Sequence, residues 1–273
     1  MSTSSDLSVG IGGFGAIGMA VGRALDAGEI PGMFLAAVSA NNQSAAAARM
    51  AHYSRKVPII ELAALAEHSD VVIECAPAAV FRNVAEAAVD KGCIFMPLSC
   101  GQMLDHMDLV ERAKETGARI VIPTGALLGL DAVRGAAEGS IETVTMVTRK
   151  PPGGLAGAPH LVENDIDVSN LSEALLVFEG SARNAVKGFP ANVNVAVALS
   201  LAGIGPDRTT IQVWADPAVT RNTHTIKVEA DSVRFEMTIE NVPSKANPRT
   251  GALTPLSTIA ALRGLVQPLK VGT

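Results

Sequence analysis

Through the first 125 residues, short apolar runs alternate with segments whose apolar side chains return every three or four positions. That is the mark of buried strands alternating with amphipathic helices. The runs at 7–12, 34–39, 70–77, 93–99 and 119–123 predict strands, with a shorter one at 58–60. Between them, Ile17, Val21, Ala24 and Leu25 fall at i, i+4, i+7 and i+8 of a helix, and further helices are predicted over 43–52, 61–67, 80–91 and 107–116. Gly28, Gly92 and Gly117 stand where three of these helices stop. Strands buried on both faces read as continuous apolar runs, so the pattern predicts an α/β, doubly wound parallel sheet.

After Leu130 the texture changes. Strands are predicted at 141–148, 175–179, 210–215, 223–230 and 232–240, and the last two show period-two alternation and a tight connection, as a hairpin does. Val193, Val195, Val197, Leu199 and Leu201 also alternate, but Pro190 ahead of them, the interspersed alanines and Gly203 behind them predict a helix over 192–202. A final helix is predicted over 255–265. The expected organisation is a first domain at 1–128, a second α+β domain with a mainly antiparallel sheet at 129–251, and a C-terminal helix within 252–267 that packs back on the first.

The first predicted strand runs into Gly10-Ile11-Gly12-Gly13-Phe14-Gly15-Ala16-Ile17-Gly18, which fits two overlapping G-x-G-x-x-G frames. The frame starting at Gly13 leaves 7–12 as strand. Gly13 then makes the turn, Gly15 lets a pyrophosphate approach the backbone, Gly18 permits close helix–strand packing, and the helix N-terminus offers N–H groups at Ala16 and Ile17. This Rossmann-type arrangement predicts a dinucleotide, NAD or NADP, on Gly13, Gly15, Ala16, Ile17 and Gly18. Ligands of such sheets sit at the carboxyl ends of the strands, here Gly13, Ala76-Pro77, Ser99-Cys100-Gly101 and Thr124-Gly125-Ala126, which adds Ala76 and Ser99 to the expected cofactor contacts. Where an acidic residue would hold a ribose 2′-hydroxyl stand Ser39-Ala40-Asn41-Asn42. Ser39 and Asn41 are the expected contacts there, and no charge repels a 2′-phosphate. Arg49 follows in the next helix, as a phosphate contact or as an ordinary helix residue.

Composition narrows the partners. A net charge of −5 without a Lys/Arg cluster argues against nucleic acid. No apolar run reaches the ~18 residues of a membrane span, and the polar start Met1-Ser2-Thr3-Ser4-Ser5-Asp6 has no signal-peptide character, so a cytoplasmic protein is expected. Cys75, Cys93 and Cys100 lie in or beside apolar runs without paired metal-ligand spacing, which predicts buried free thiols and no metal site.

Several blocks can be read together: Gly13-Phe14-Gly15-Ala16-Ile17-Gly18, Pro123-Thr124-Gly125-Ala126-Leu127-Leu128-Gly129-Leu130-Asp131, Arg149-Lys150-Pro151-Pro152, Phe178-Glu179-Gly180-Ser181-Ala182-Arg183, Phe189-Pro190-Ala191-Asn192-Val193-Asn194-Val195, Asn222-Thr223-His224-Thr225-Ile226, and 241–250 with its Asn247-Pro248-Arg249-Thr250. In this order they resemble the L-aspartate dehydrogenase family over nearly the whole chain. The resemblance implies NAD(P)-dependent interconversion of L-aspartate with oxaloacetate and ammonia through iminosuccinate. It also implies a homodimer, a catalytic histidine at His224, and nicotinamide-side contacts at Ala126, Asn192 and Asn194. Two departures from the family pattern are the missing acid at 39–42 and the residues Asn184 and Gly188.

The residues themselves add the following. His52, His68 and His106 lie on predicted helices or helix ends and His160 in a loop, whereas His224 sits on a strand between Asn222 and Thr225. An imidazole can take a proton from water and return it, as hydration of an imine requires. A dicarboxylate substrate calls for cations, and Lys150, Arg183, Lys245 and Arg249 are available, with Lys150 and Arg249 beside prolines in expected rigid loops. The substrate-binding set is therefore Lys150, Ser244, Asn247, Arg249 and Thr250. Two other readings stay open: a related reductase of another small amino or keto acid, and a non-catalytic NAD(P)-binding sensor.

Overall fold

The computed structural model describes residues 6–190, 194–244 and 251–272. The chain divides into two compact units, one formed by 1–123 with 254–270, the other by 124–253 with the last three residues.

In the first unit β1 (Leu7–Gly12), α1 (Ala16–Asp26), β2 (Met33–Ser39), α2 (Gln43–Arg49), β3 (Val71–Glu74), α3 (Phe81–Asp90), β4 (Ile94–Pro97), α4 (Asp108–Thr116) and β5 (Arg119–Ile120) follow one another. The five strands are parallel, in the order β2-β1-β3-β4-β5. Val9, Ile11, Val71, Ile73, Phe95 and Met96 are fully buried, which is why these strands read as unbroken apolar runs. The doubly wound parallel sheet expected from the sequence is thus present. Because β2 and β3 lie on opposite sides of β1, the chain reverses direction across the sheet between β1 and β3, and that reversal opens a crevice at their carboxyl ends.

Local details differ from the sequence reading in instructive ways. The stretch predicted as a helix over 61–67 is a 3-10 helix, Leu62–His68. The short strand expected at 58–60 is a single bridge between Val38 and Ile59. Gly28 and Gly117 take positive φ at the ends of α1 and α4, where a Cβ would be strained.

The second unit carries α5 (Leu130–Ala137), β6 (Ile141–Lys150), α6 (Pro159–Glu163), β7 (Leu175–Ser181), α7 (Ala182–Gly188), α8 (Asn194–Ala202), β8 (Thr210–Ala215), β9 (Thr223–Ala230) and β10 (Arg234–Glu240). Its sheet has the order β10-β9-β6-β8-β7. All its pairs are antiparallel except β6 with β8, so the sheet is mixed and mainly antiparallel. The predicted hairpin is β9 with β10. The run 194–202 is helical despite its period-two pattern. Ala196, Val197, Ala198, Leu199 and Ser200 are all buried, so helix α8 is apolar most of the way round and its sequence carries little helical periodicity.

The C-terminal helix α9 (Leu253–Val266) belongs to the first unit from Thr254 onward. Its Leu262 is fully buried in the cluster that contains Val9, Val21, Ile30 and Leu35, with Ile259, Leu265 and Val266 around it.

Candidate active site

In the first unit the site begins where β1 runs out. Gly13 has φ of +98°, and a Cβ there would run into the carbonyl oxygen of Cys75 and lie 2.6 Å from its carbon. The turn therefore rests directly on the end of β3, with Gly13 N–H donating to the Ser39 carbonyl at 2.9 Å and Cys75 N–H to the Gly12 carbonyl at 2.7 Å. A Cβ on Gly18 would meet the Gly13 carbonyl oxygen, so this glycine serves helix–strand packing. Gly15 is different: a Cβ on it would meet nothing within 4 Å. Protein packing gives no reason for a glycine there, whereas close approach of a ligand does. Gly15 is also the N-cap of α1, and no side chain caps the helix. The free N–H groups of its first turn, Ala16 and Ile17 among them, are left to an anion, so these residues fit the pyrophosphate of a dinucleotide.

Ala76 and Ser99, two further expected cofactor residues of this unit, are held by a group the sequence reading passed over. Glu74, the last residue of β3, is fully buried. Its Oε1 accepts from Ala76 N–H at 2.8 Å and from the Ser99 hydroxyl at 3.1 Å, and its Oε2 accepts from Ser99 N–H at 3.0 Å. One carboxylate thus ties the loop after β3 to the loop after β4. Burial pushes its pKa up, against the hydrogen bonds from Ser99, Ala76 and Leu98. The available signal was a lone acid inside the run Val71-Val72-Ile73-Glu74-Cys75.

At the end of β2, Ser39 is buried and Asn41 is exposed. Asn42 caps α2, its Oδ1 accepting from Ala45 N–H and the Ser44 hydroxyl, each at 2.9 Å. Arg49 turns back to the glycine turn and donates from Nη1 to the Phe14 carbonyl at 2.8 Å. No acidic side chain occurs between Glu29 and Glu61, so the ribose edge of the crevice carries no carboxylate from this stretch.

In the second unit the alternation of β6 places Val144, Met146, Thr148 and Lys150 on the buried face. Thr148 pairs with His224 of the antiparallel neighbour β9. His224 and Lys150 are each only 4% exposed. The Thr148 hydroxyl lies 3.0 Å from His224 Nδ1, and no other hydrogen bond of the ring occurs among the described residues, so Nε2 is the edge left for chemistry. Burial, with the Lys150 charge nearby, lowers the imidazole pKa to about 4. Burial also brings the Lys150 ammonium down to about 8. Lys150 is the final residue of β6 and not part of a loop as expected from Pro151-Pro152; a residue before proline favours extended backbone, which suits a strand end. Thr148 was missed by the sequence reading.

On the opposite face, Arg149 pairs with Asp216 at 2.9 Å and lies 4.8 Å over the Trp214 ring. Arg183 is bidentate to Asp207 at 2.6 and 2.9 Å, which occupies its guanidinium. Ala126 follows the positive-φ Gly125 in a turn, and Asn194 opens α8. Ser244 is half-buried after β10. Asn192, Lys245, Asn247, Arg249 and Thr250 lie outside the described residues.

Of the remaining histidines, His52 and His68 are exposed, and His106 and His160 have packing roles. His106 stacks on Phe81 at 5.5 Å, and His160 packs against Phe178 at 5.2 Å and Phe189 at 5.5 Å. His160 also accounts for Gly188, where a Cβ would come 2.8 Å from the His160 Cβ. Cys75, Cys93 and Cys100 are free thiols, and burial pushes the pKa of Cys75 and of Cys93 up, away from nucleophilic use.

A parallel sheet with a ligand-shaped glycine turn, joined to an α+β unit that buries an imidazole beside an ammonium, defines a nicotinamide-dependent dehydrogenase. The comparisons narrow this class. Residues 13–123 match the NAD-binding domain described for homoserine dehydrogenase, and residues 131–265 match the aspartate dehydrogenase C-terminal domain. L-Aspartate dehydrogenase of Bradyrhizobium diazoefficiens is 52% identical over 272 residues, covering 100% of this chain and 96% of that protein. L-Aspartate dehydrogenase 3 of Bordetella bronchiseptica is 50% identical, covering 100% of both chains. The crystal structure of aspartate dehydrogenase from Thermotoga maritima shares the fold, with a TM-score of 0.72 at 23% identity over 97% of this chain and 99% of that one. The chain belongs to the L-aspartate dehydrogenase family.

The two glycines of the turn should separate in experiment. Gly13→Ala is expected to destabilise the protein by about 1–3 kcal/mol in urea unfolding, from strain at positive φ plus the clash with Cys75. Gly15→Ala should leave stability within about 1 kcal/mol and weaken NADH binding in a fluorescence titration. Equal losses of stability in both variants would contradict this division.

Proposed function

We propose that this chain catalyses the NAD(P)-dependent interconversion of L-aspartate with oxaloacetate and ammonia through iminosuccinate. The observation that carries the reading is the buried His224, held at Nδ1 by Thr148 and set beside Lys150 on one face of the second sheet. Membership of the family and the two close relatives support the substrate. Gly13, Gly15, Ala16, Ile17, Gly18, Ser39, Asn41, Ala76 and Ser99 of the first unit, with Ala126, Asn192 and Asn194 of the second, would hold the dinucleotide. What the dinucleotide supplies when bound is the hydride exchanged with the substrate Cα.

The protein's own work is proton handling. His224 is neutral at physiological pH because burial and the Lys150 charge oppose its protonation. Its Nε2 takes a proton from the water that adds to the imine carbon and delivers it to the imine nitrogen, giving the carbinolamine; the ring then takes the carbinolamine hydroxyl proton and passes it to the amino nitrogen as the carbonyl forms, the C–N bond breaks and ammonia leaves. In the reductive direction the same steps run backward. Thr148 fixes the ring orientation and reserves Nε2 for this exchange. The substrate's two carboxylates offset the Lys150 charge, which raises the basicity of His224 when substrate is present. Lys150 carries its charge below about pH 8 and serves as a carboxylate partner. Ser244, Asn247, Arg249 and Thr250 complete the proposed substrate set.

NAD and NADP are both compatible with the ribose edge, where Ser39-Ala40-Asn41-Asn42 offers no negative charge. The reading carries with it the homodimer that the family resemblance implies and a cytoplasmic setting. Among the described residues, no helix is long and apolar enough to cross a membrane.

Purified protein is expected to oxidise NADH or NADPH with oxaloacetate only when ammonia is present, followed by loss of the reduced-nicotinamide absorbance. His224→Ala should cut kcat by ~10²-fold or more with the cofactor Kd little changed; wild-type turnover in that variant would remove His224 from the mechanism. Succinate, a non-reactive dicarboxylate, should inhibit competitively, and its Ki should climb as pH rises above about 8 and Lys150 loses its proton. In Lys150→Met the Ki should be raised ~10-fold or more and become flat with pH. A pH-independent Ki in the wild type would contradict the role given to Lys150.

A further inference from the structure

The second sheet holds a buried polar group that the proton chemistry does not use. Asn241 directly follows β10 and is 7% exposed, and its Nδ2 makes no hydrogen bond among the described residues. Its position is well defined by the ladder. Ile239 pairs with His224 across β9 and β10, and Asn241 N–H continues the register by donating to the Asn222 carbonyl at 2.9 Å. Residues two apart on a strand share a face, and residues paired across strands point to the same face. Asn241 therefore lies on the same side of the sheet as Ile239 and His224, two pairs further along. Its surroundings are also defined, because a Cβ on Gly251 would lie 3.3 Å from the Ala126 Cβ and 3.5 Å from Asn241 Oδ1.

A buried amide donor without an acceptor is costly to the fold, since it has given up water for nothing. Leucine would fill similar space with no such cost. The missing partner must be an acceptor, must be small enough to reach a buried edge, and must come to the face that carries His224. A carboxylate meets all three conditions. We propose that Asn241 is a substrate-binding residue whose Nδ2 donates to a carboxylate oxygen of the dicarboxylate. The proposal rests on the aspartate reading above and adds a neutral donor to its cationic partner Lys150. A neutral amide suits this place because it recognises the carboxylate without adding a second buried cation beside the imidazole.

Asn241→Leu and the smaller Asn241→Ala test this, the second guarding against a failure of the leucine to fit beside Gly251. The measurements are the urea unfolding midpoint, the NADH Kd by fluorescence, and KM and kcat for oxaloacetate at saturating ammonia. The expected result is a midpoint for Asn241→Leu no lower than wild type, an unchanged NADH Kd, and a KM for oxaloacetate raised ~10-fold or more in whichever variant folds. An unchanged KM in a folded variant overturns the proposal, as does a loss confined to NADH binding, which would assign the amide to the cofactor. Absence of ammonia-dependent turnover in the wild-type protein would instead refute the aspartate reading on which the proposal rests.

Discussion

Desolvation of two ionisable side chains on one sheet face is the constraint on which the site depends. His224 and Lys150 sit where the buried row of β6 and β9 would otherwise continue with residues such as Val144, Met146, Ile226 and Val228. Moving charge out of water is expensive, so the imidazole stays neutral and the ammonium holds its proton less firmly than a surface lysine does. In the proposed reading both effects suit a dicarboxylate, whose negative charge would offset that of the buried ammonium and so relieve the field that suppresses the imidazole.

The first unit works by backbone shape instead of charge. Gly13 allows the chain to turn against Cys75, and Gly15 leaves an opening that no protein atom fills. Glu74 holds the neighbouring loops at Ala76 and Ser99 in fixed relation through three hydrogen bonds. A buried carboxylate at this point is unfavourable on its own and is retained with its donors matched, which keeps the carboxyl ends of β3 and β4 together.

Much of this was legible in the sequence because parallel strands buried on both faces spell themselves out as apolar runs, and because Gly13, Gly15 and Gly18 each leave a spacing signature. Helices α6 and α7 were not, being five and seven residues long, too short for a 3.6-residue period to show. Helix α5 gives four of its eight residues to Gly135 and three alanines, which leaves few large apolar side chains to show a period. The parallel β6–β8 pair is a matter of partner choice, which alternation within a strand does not encode. Lys150 was visible as a cation but misplaced, because Pro151 reads equally well as a loop or as the stop of a strand. Thr148 and Glu74 were missed for a common reason: each is an ordinary polar residue whose role comes from a neighbour distant in sequence, as Thr148 and His224, 76 positions apart, show.

The central claim is that burial and the Lys150 charge keep His224 neutral. An NMR titration of the ligand-free protein, following the imidazole resonances assigned by comparison with His224→Ala, tests it most directly. The account predicts that the ring stays neutral through the physiological range and titrates only near pH 4, with the midpoint rising when Lys150 is replaced by Met. A midpoint at the ordinary value of about 6.5, unmoved by that replacement, would contradict it.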